Sequence, residues 1–192
     1  MFKTNSETTL PVSVGEESTS MVSETGAKAR NKAGSGVIQT AGFESLPDVV
    51  CLSHLRWDFV YQRPQHLLSR FARYTRVFFV EEPLFTDCQE PYLQVTEREG
   101  NVQLVVPHLP HGLSSDAIEA AQRSLLDGLF AEKKIAHYLF WYYTPMAIRF
   151  TAHFTPALTV YDCMDELSAC KFAPAQLKEL GLALFQKGHL VF

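Results

Sequence analysis

Continuous apolar runs alternate with amphipathic stretches over most of this chain. The first run lies within Asp48–Ser53 and is apolar and β-branched at successive positions, which is typical of a strand buried on both faces. Similar runs at 76–83, 137–143 and 158–162 predict three more buried strands. An alternating stretch around Glu99-Gly100-Asn101 predicts an inserted β-hairpin.

Helical spacing of apolar residues follows the predicted strands. The pattern predicts helices that begin near Pro64, Ser114, Thr144 and Pro174, with proline favoured in a first turn because its missing N–H costs nothing there. Strands that alternate with helices in this way predict right-handed crossovers. The fold class is therefore α/β, a Rossmann-like, mainly parallel sheet with helices on both faces.

The amino-terminal segment, residues 1–46, has a different composition. It is rich in Ser, Thr, Glu and Gly, and its aromatic residues are Phe2 and Phe43. Such a segment buries too little apolar surface to offset the entropy of ordering it, so we predict a disordered tail. Residues 47–192 form the predicted domain, which we expect to be incomplete because its final HLVF resembles a strand cut in the middle.

Charge and cysteine content exclude several classes of protein. The formal net charge of −4 gives no general attraction to nucleic acid or to an anionic membrane. The four cysteines have no CxxC pairing, which favours a reducing cytoplasm. The sequence has neither a signal-peptide pattern nor an apolar run of about 20 residues, so we expect a soluble or peripherally attached protein.

The connector after the first strand, His54–Arg63, is the richest candidate site. Strand-to-helix loops of an open parallel sheet meet at one edge, where ligands bind. Arg56 and Arg63 are candidate donors to phosphate or carboxylate, and Trp57 and Tyr61 could stack on a sugar or base. The alternative is that Trp57, Phe59 and Tyr61 pack in the core while the arginines pair with the glutamates of the EEP segment.

The segment YDCMDE supplies carboxylates at the end of a later strand. Asp162 and Asp165 are candidates for binding sugar hydroxyls or for acting as bases. The alternative is that Asp165 caps a turn and Asp162 pairs with an arginine. Their D-x-x-D spacing differs from the D-x-D that holds a divalent metal, and no glycine fingerprint follows a strand, so we predict no metal and no bound cofactor.

Four segments together resemble a known family. LSHLRWDFVYQRPQHLLSRFA, RVFFVEEP, LFWYYTPMA and VYDCMDELSA, in this order, are similar to the N-terminal domain of bacterial glycosyltransferases of the retaining group 1 (GT-B fold) class. The resemblance runs from about Asp48 to Phe192. It implies two Rossmann-like domains that face each other across a cleft, with the acceptor held mainly by the first and the nucleotide-sugar donor by the second.

This resemblance implies a transferase that moves a sugar from a nucleotide-sugar donor, its co-substrate, to a glycan or lipid-linked acceptor in polysaccharide biosynthesis. It implies metal-independent chemistry in the cytoplasm, with peripheral contact at the inner face of the membrane as one alternative. The donor domain is absent from these residues, so we expect this chain alone to be inactive. Its site residues would be Arg56, Trp57, Arg63, Asp162 and Asp165, which contact acceptor or diphosphate; the catalytic residue is unknown.

One departure from the family concerns the connector. Many members have a glycine-rich first loop that approaches donor phosphate through its backbone, whereas His54–Arg63 contains no glycine. A non-catalytic sugar- or nucleotide-binding α/β module is therefore a second hypothesis. A Rossmann oxidoreductase or epimerase is a third, which the missing glycine fingerprint disfavours.

Overall fold

The computed structural model describes residues 46–164 and 176–192. The predicted disordered tail falls outside these ranges except for Leu46, and the candidate Asp165 falls outside them too. The described residues form eight strands, four helices and one 3₁₀ turn. In chain order these are β1 Asp48–Ser53, α1 Arg63–Phe71, β2 Val77–Glu81, β3 Leu84–Thr86, β4 Tyr92–Glu97, β5 Val102–Pro110, α2 Ser115–Lys133, β6 Tyr138–Tyr142, the turn Pro145–Ala147, α3 Ile148–Thr151, β7 Leu158–Tyr161, α4 Leu177–Lys187 and β8 Leu190–Val191.

All strands belong to one sheet, with the order β3-β5-β2-β1-β6-β7-β8 and β4 paired to β5. Every pair is parallel except β4 with β5. If the short β3 and the hairpin strand β4 are set aside, six strands remain. Numbered in chain order, these six lie across the sheet in the order third, second, first, fourth, fifth, sixth, which is the strand order of a Rossmann fold. The predicted α/β fold class, with a Rossmann-like and mainly parallel sheet, is confirmed.

Helices cover both faces of the sheet, as predicted. Alternate residues of β1 point to opposite faces: Val50 and Leu52 pack with α2 and α4, and Val49 and Cys51 pack with α1. All four side chains are essentially inaccessible to solvent. This two-sided burial explains why the strand segments are continuously apolar.

The predicted hairpin forms between β4 and β5, and Gly100 in its turn has a φ of +74°. However, β5 belongs to the main sheet as well as to the hairpin, because it also pairs in parallel with β2. The short strand β3, which the sequence pattern did not predict, continues the line of β2 along β5. Leu84 is four positions after Val80, whereas their partners Val105 and His108 are three positions apart, so the chain has one extra residue between Val80 and Leu84.

The helix predicted to start at Thr144 is shorter than the pattern indicated. The Thr144 hydroxyl caps it by accepting from the Met146 N–H at 3.4 Å, and regular helix ends at Thr151. Its buried Thr151 hydroxyl bonds the Ala147 carbonyl at 2.7 Å and the Tyr142 hydroxyl at 2.9 Å. Within the described ranges, every helix is too short or too polar to cross a lipid bilayer.

Candidate ligand site at the carboxyl edge

Four neighbouring parallel strands, β2, β1, β6 and β7, end at one edge of the sheet. Ser53 pairs with Glu81, and Leu52 with Tyr142, which in turn pairs with Tyr161. The connections leave β1 and β6 towards opposite faces, because α1 covers one face and α3 the other. A crevice at such a reversal of strand order is the usual ligand site of an open parallel sheet.

The first half of the connector is bonded to the end of β2. Arg56 Nη1 donates to Glu81 Oε2 at 2.8 Å and to the Glu82 carbonyl at 2.7 Å, while Glu81 Oε1 accepts from the Trp57 N–H at 2.7 Å. The Trp57 ring lies edge-on to Phe79, with ring centroids 4.9 Å apart. These are the contacts that the packing alternative expects for both residues, although the Arg56 side chain keeps 34% of its surface exposed.

Arg63 and Asp162 lie together at this edge. Arg63 Nε is 3.2 Å from Asp162 Oδ2; the Arg63 side chain is 50% exposed, and the Asp162 side chain only 1%. Among the described residues, neither Asp162 oxygen has a well-aligned hydrogen bond, and the buried Tyr143 hydroxyl interacts with this carboxylate. Asp162 is therefore placed beneath Arg63, where it has almost no surface to offer a sugar hydroxyl directly.

Burial around Asp162 also raises the pKa values of two neighbouring groups. Burial, together with the Asp162 charge, raises the pKa of the Cys51 thiol well above its usual value. Burial raises the pKa of the Tyr143 phenol in the same way, with Cys51 and Asp162 contributing. Both groups stay protonated at neutral pH, so Arg63 supplies the positive charge that balances Asp162.

A cleft of about 330 Å³ opens on the α2 and α3 side of the same edge. Its walls come from the ends of β1 and β2, the first turns of α2, and the chain from Thr144 to Phe150. The apolar lining residues are Leu52, Val80, Pro83, Phe85, Ile118, Met146, Ala147 and Phe150. The polar ones are Ser53, Glu81, Glu82, Ser115, Glu119, Gln122, Thr144 and Arg149.

Carboxylates dominate the charge of this cleft. Glu119 Oε1 accepts from Arg149 Nη2 at 2.5 Å, and Arg149 Nη1 donates to the Gln176 side chain at 2.8 Å, so the cleft's own cation is already paired. Partial burial raises the pKa of the Glu82 carboxyl, while His54 and Arg56 lower it. Apolar walls beside carboxylate, amide and hydroxyl groups suit a hydroxyl-rich ligand, whose ring face is apolar and whose rim donates hydrogen bonds.

The contribution of α2 to this cleft was not predicted from the sequence. Ser115, Ile118, Glu119 and Gln122 follow helical i, i+3, i+4, i+7 spacing, so they share one face of α2. That spacing was a signal available in the sequence. Within the described ranges, no group of three or more His, Cys, Asp or Glu side chains is arranged to hold a metal ion.

Comparison with known proteins finds a distant structural likeness. No protein-family model matches this chain, and no curated protein sequence matches it. A solved structure described as "Trehalose-6-phosphate from E. coli bound with UDP-2-fluoro glucose" is similar at 10% sequence identity and a TM-score of 0.44. The match covers 75% of this chain and 39% of that one, so the chain spans well under half the length of that structure.

Proposed function

We propose that residues 47–192 are the acceptor-side domain of a glycosyltransferase, which transfers a sugar from a nucleotide-sugar donor to a glycan or lipid-linked acceptor. One observation carries this proposal. The four segments that resemble the retaining GT-B class contain the whole of β2 and the carboxyl-terminal residues of β1, β6 and β7, and these strands are neighbours in the sheet. Segments that are separate in the chain thus border one edge, as a shared ligand site requires.

The cleft and Arg63 both lie at this edge but differ in chemistry, which supports a different ligand for each. The cleft presents apolar surface and carboxylates, which suit an uncharged acceptor sugar. Arg63, half-exposed beside the cleft's edge of the sheet, is the group we assign to a donor diphosphate, because a guanidinium binds phosphate oxygens through paired hydrogen bonds. Asp165 remains a proposed acceptor-side residue, whereas the buried Asp162 would act through Arg63 at the diphosphate.

The donor domain in this proposal lies outside residues 1–192, so we expect no sugar transfer by this chain alone. The test is an NMR titration of the ¹⁵N-labelled chain with neutral oligosaccharides, such as maltotriose and cellotriose, and separately with UDP. We expect at least one oligosaccharide to shift cleft amides such as those of Ser53 and Gln122, and Gln122→Ala to weaken that response.

Other outcomes of the titration would contradict the proposal. Saturable shifts of cleft amides by UDP, with none by any oligosaccharide, would favour a nucleotide-binding module. Detectable sugar transfer by purified 1–192 would contradict the assignment of the donor site to another domain. As a matched control, Gln186→Ala changes an exposed glutamine on α4 and should leave the oligosaccharide response unchanged.

A further inference from the structure

Strand β4 forms an outer edge of the sheet. Among the residues that the structure describes, it pairs with β5 alone, and β5 pairs with β2 on its other side. The Arg98 N–H donates to the Val102 carbonyl at 2.8 Å, which marks these two residues as a hydrogen-bonded pair. Hydrogen-bonded and non-hydrogen-bonded pairs alternate along an antiparallel ladder, so the backbone groups of every second residue of β4 point off the sheet. These residues are Leu93, Val95 and Glu97.

This edge lacks the features that usually keep an exposed strand from pairing with another chain. Protected edges carry lysine, proline, a bulge or an inward-pointing charge. Every residue of Tyr92–Glu97 pairs in register with β5, and the only charged side chain of the strand is that of Glu97 at its end. Leu93 and Val95 are partly buried and pack against the core on the α2 side. The strand is therefore flat, apolar in its middle and open to pairing.

A second copy of the same strand fits this edge. An antiparallel pair with a two-fold axis at Val95 places Val95 opposite the partner's Val95 and Leu93 opposite the partner's Glu97. Within β4, this register brings all the outward-pointing residues into hydrogen-bonded pairs. The two Glu97 positions are then about 14 Å apart along the strands, at a rise of about 3.4 Å per residue. That separation exceeds the Debye length of about 8 Å at physiological salt, so their repulsion is weak.

The ring of Tyr92 supplies a further contact for this pairing. It stacks on His108 of β5 with the ring planes 8° apart and the centroids 4.6 Å apart, close to the spacing of neighbouring strands. The opposite face of the ring therefore looks off the edge, and Tyr92 is 46% exposed. In the register centred on Val95, this face lies opposite the partner's Arg98. A guanidinium group can stack on such a face while its N–H groups keep their bonds to Asp58.

We propose that the β4 edge pairs with the β4 edge of a second copy of this chain, in the antiparallel register centred on Val95. The pairing continues the sheet of one copy into the sheet of the other. A second copy is the occupant that the strand itself specifies, because opposing the strand to itself pairs valine with valine and tyrosine with arginine and keeps like charges apart. This proposal does not depend on sugar transfer.

One strand pair is a small contact beside the roughly 1,600 Å² of a standard protein interface, so we expect a reversible dimer with a dissociation constant on the order of 10 µM. The test is sedimentation velocity of the full chain over a concentration series that spans this value. Val95→Lys should raise the dissociation constant about tenfold or more, because it places two like charges opposite each other at the two-fold axis. Val95→Glu should do the same. An equimolar mixture of the two variants should dimerise again, because opposite charges then meet.

Cysteine substitution tests the register without adding a charge. The Cα atoms of a hydrogen-bonded antiparallel pair lie about 5.5 Å apart, which a disulfide can span. Under mild oxidation, Val95→Cys should therefore give a covalent dimer that a reducing agent separates. Leu93→Cys is the matched control, because the same register keeps the two copies of that position about 14 Å apart. The unmodified chain, which has the partly exposed Cys88, gives the background.

Circular dichroism checks that each variant keeps its fold; if a charge variant unfolds, the two cysteine variants decide. Three results would overturn the proposal: a monomer at every concentration, a dimer that both folded charge variants leave unchanged, or equal yields of covalent dimer from Val95→Cys and Leu93→Cys. None of them affects the oligosaccharide titration that tests sugar binding, so the two proposals fail separately.

Discussion

Trp57 and Phe59 are two residues apart in the same connector, yet they have opposite surroundings. The Trp57 ring packs against Phe79, and its backbone N–H is bonded to Glu81. Phe59 is 83% exposed. The difference comes from Glu81, a nearly buried carboxylate at the end of β2 that accepts from two successive connector residues and holds that part of the chain against the sheet. Side-chain type alone did not determine which aromatic group is buried.

The connector thus has an anchored half, residues 54–58, and an exposed half, residues 59–61. Gln65 stabilises the boundary between them. Its side-chain amide donates to the Trp57 carbonyl at 2.7 Å and to the Val60 carbonyl at 3.0 Å, and its oxygen accepts from the Gln62 N–H at 2.9 Å. One buried helical side chain therefore satisfies three backbone groups of an irregular loop, which would otherwise need water.

The largest expected effect separates the two aromatic residues. Trp57→Ala should lower the free energy of unfolding by about 3 kcal/mol, because it leaves a cavity against Phe79. Phe59→Ala should change it by less than about 0.5 kcal/mol, since its ring is mostly in water. Urea denaturation of the full chain, followed by far-UV circular dichroism, measures both. Equal losses for the two variants would contradict the division of the connector into halves.

The next effect tests the boundary between the halves. Gln65→Leu keeps a helix-compatible side chain but leaves three backbone groups of the loop without their hydrogen-bond partner. We therefore expect the free energy of unfolding, measured by urea denaturation, to fall by about 2 kcal/mol. Gln186→Leu is the matched control, because this glutamine is exposed on α4 and its replacement should cost less than about 0.5 kcal/mol. A stable Gln65→Leu variant would mean that water replaces those hydrogen bonds without cost.

The sequence predicted the parallel strands because burial on both faces makes every position of a strand apolar. Val77–Glu81 is inaccessible along its whole length, so its local composition alone identifies it. Leu84–Thr86 was missed for the opposite reason: it is short and partly exposed, and its strand conformation depends on pairing with the distant β5. Long-range pairing of this kind leaves no signal in the local sequence.

The loops that border the candidate site could be predicted from the sequence, but the pairing of their residues could not. The loops that hold Arg56, Arg63 and Asp162 do meet at one edge, because strands that alternate with helices lie parallel and their carboxyl ends share that edge. The partners of these residues lie 25 positions away for Arg56 and much farther for Arg63, so their pairing could be weighed but not decided from sequence. The loops also account for only part of the site, because α2 starts at the same edge and lines the cleft.

A smaller effect compares the two members of the Arg63–Asp162 pair. Arg63→Gln leaves a carboxylate with almost no exposed surface and without its counter-charge, whereas Asp162→Asn leaves an arginine that water already solvates on one side. We therefore expect Arg63→Gln to lower the free energy of unfolding by about 1–2 kcal/mol more than Asp162→Asn does. The double variant should be more stable than the sum of the single losses predicts.

Urea denaturation of the single and double variants at neutral pH measures this asymmetry. Strict additivity would show that the two side chains do not interact in solution, and it would remove the reason for assigning Asp162 to act through Arg63. A larger loss for Asp162→Asn than for Arg63→Gln would show that Asp162 stabilises something other than Arg63.

The smallest expected effect concerns the ion pair that ties the anchored half to the hairpin. Arg98 Nε donates to Asp58 Oδ1 at 3.1 Å, and this hydrogen bond holds the pKa of the Asp58 carboxyl below its usual value. The pKa of Asp58 is lower in the folded state than in the unfolded state. The ion pair therefore stabilises the fold fully at pH values above the unfolded-state pKa, which is near 4. This stabilisation is lost as the pH falls through the folded-state pKa. Asp58 is 58% exposed, so Arg98→Gln should cost only about 0.5 kcal/mol at pH 7.

The pH dependence distinguishes this pair from simple packing. The stability difference between the unmodified chain and Arg98→Gln should be constant from about pH 6 to pH 8. It should shrink below about pH 4, where the unfolded state takes up the proton first, and vanish once Asp58 is protonated in the folded state too. Arg123→Gln, at an exposed position on α2, should show no such pH-dependent difference. If the Arg98→Gln deficit persisted unchanged at low pH, the arginine would stabilise the connector through its aliphatic stem rather than its charge, and the anchored half would depend on Glu81 and Gln65 alone.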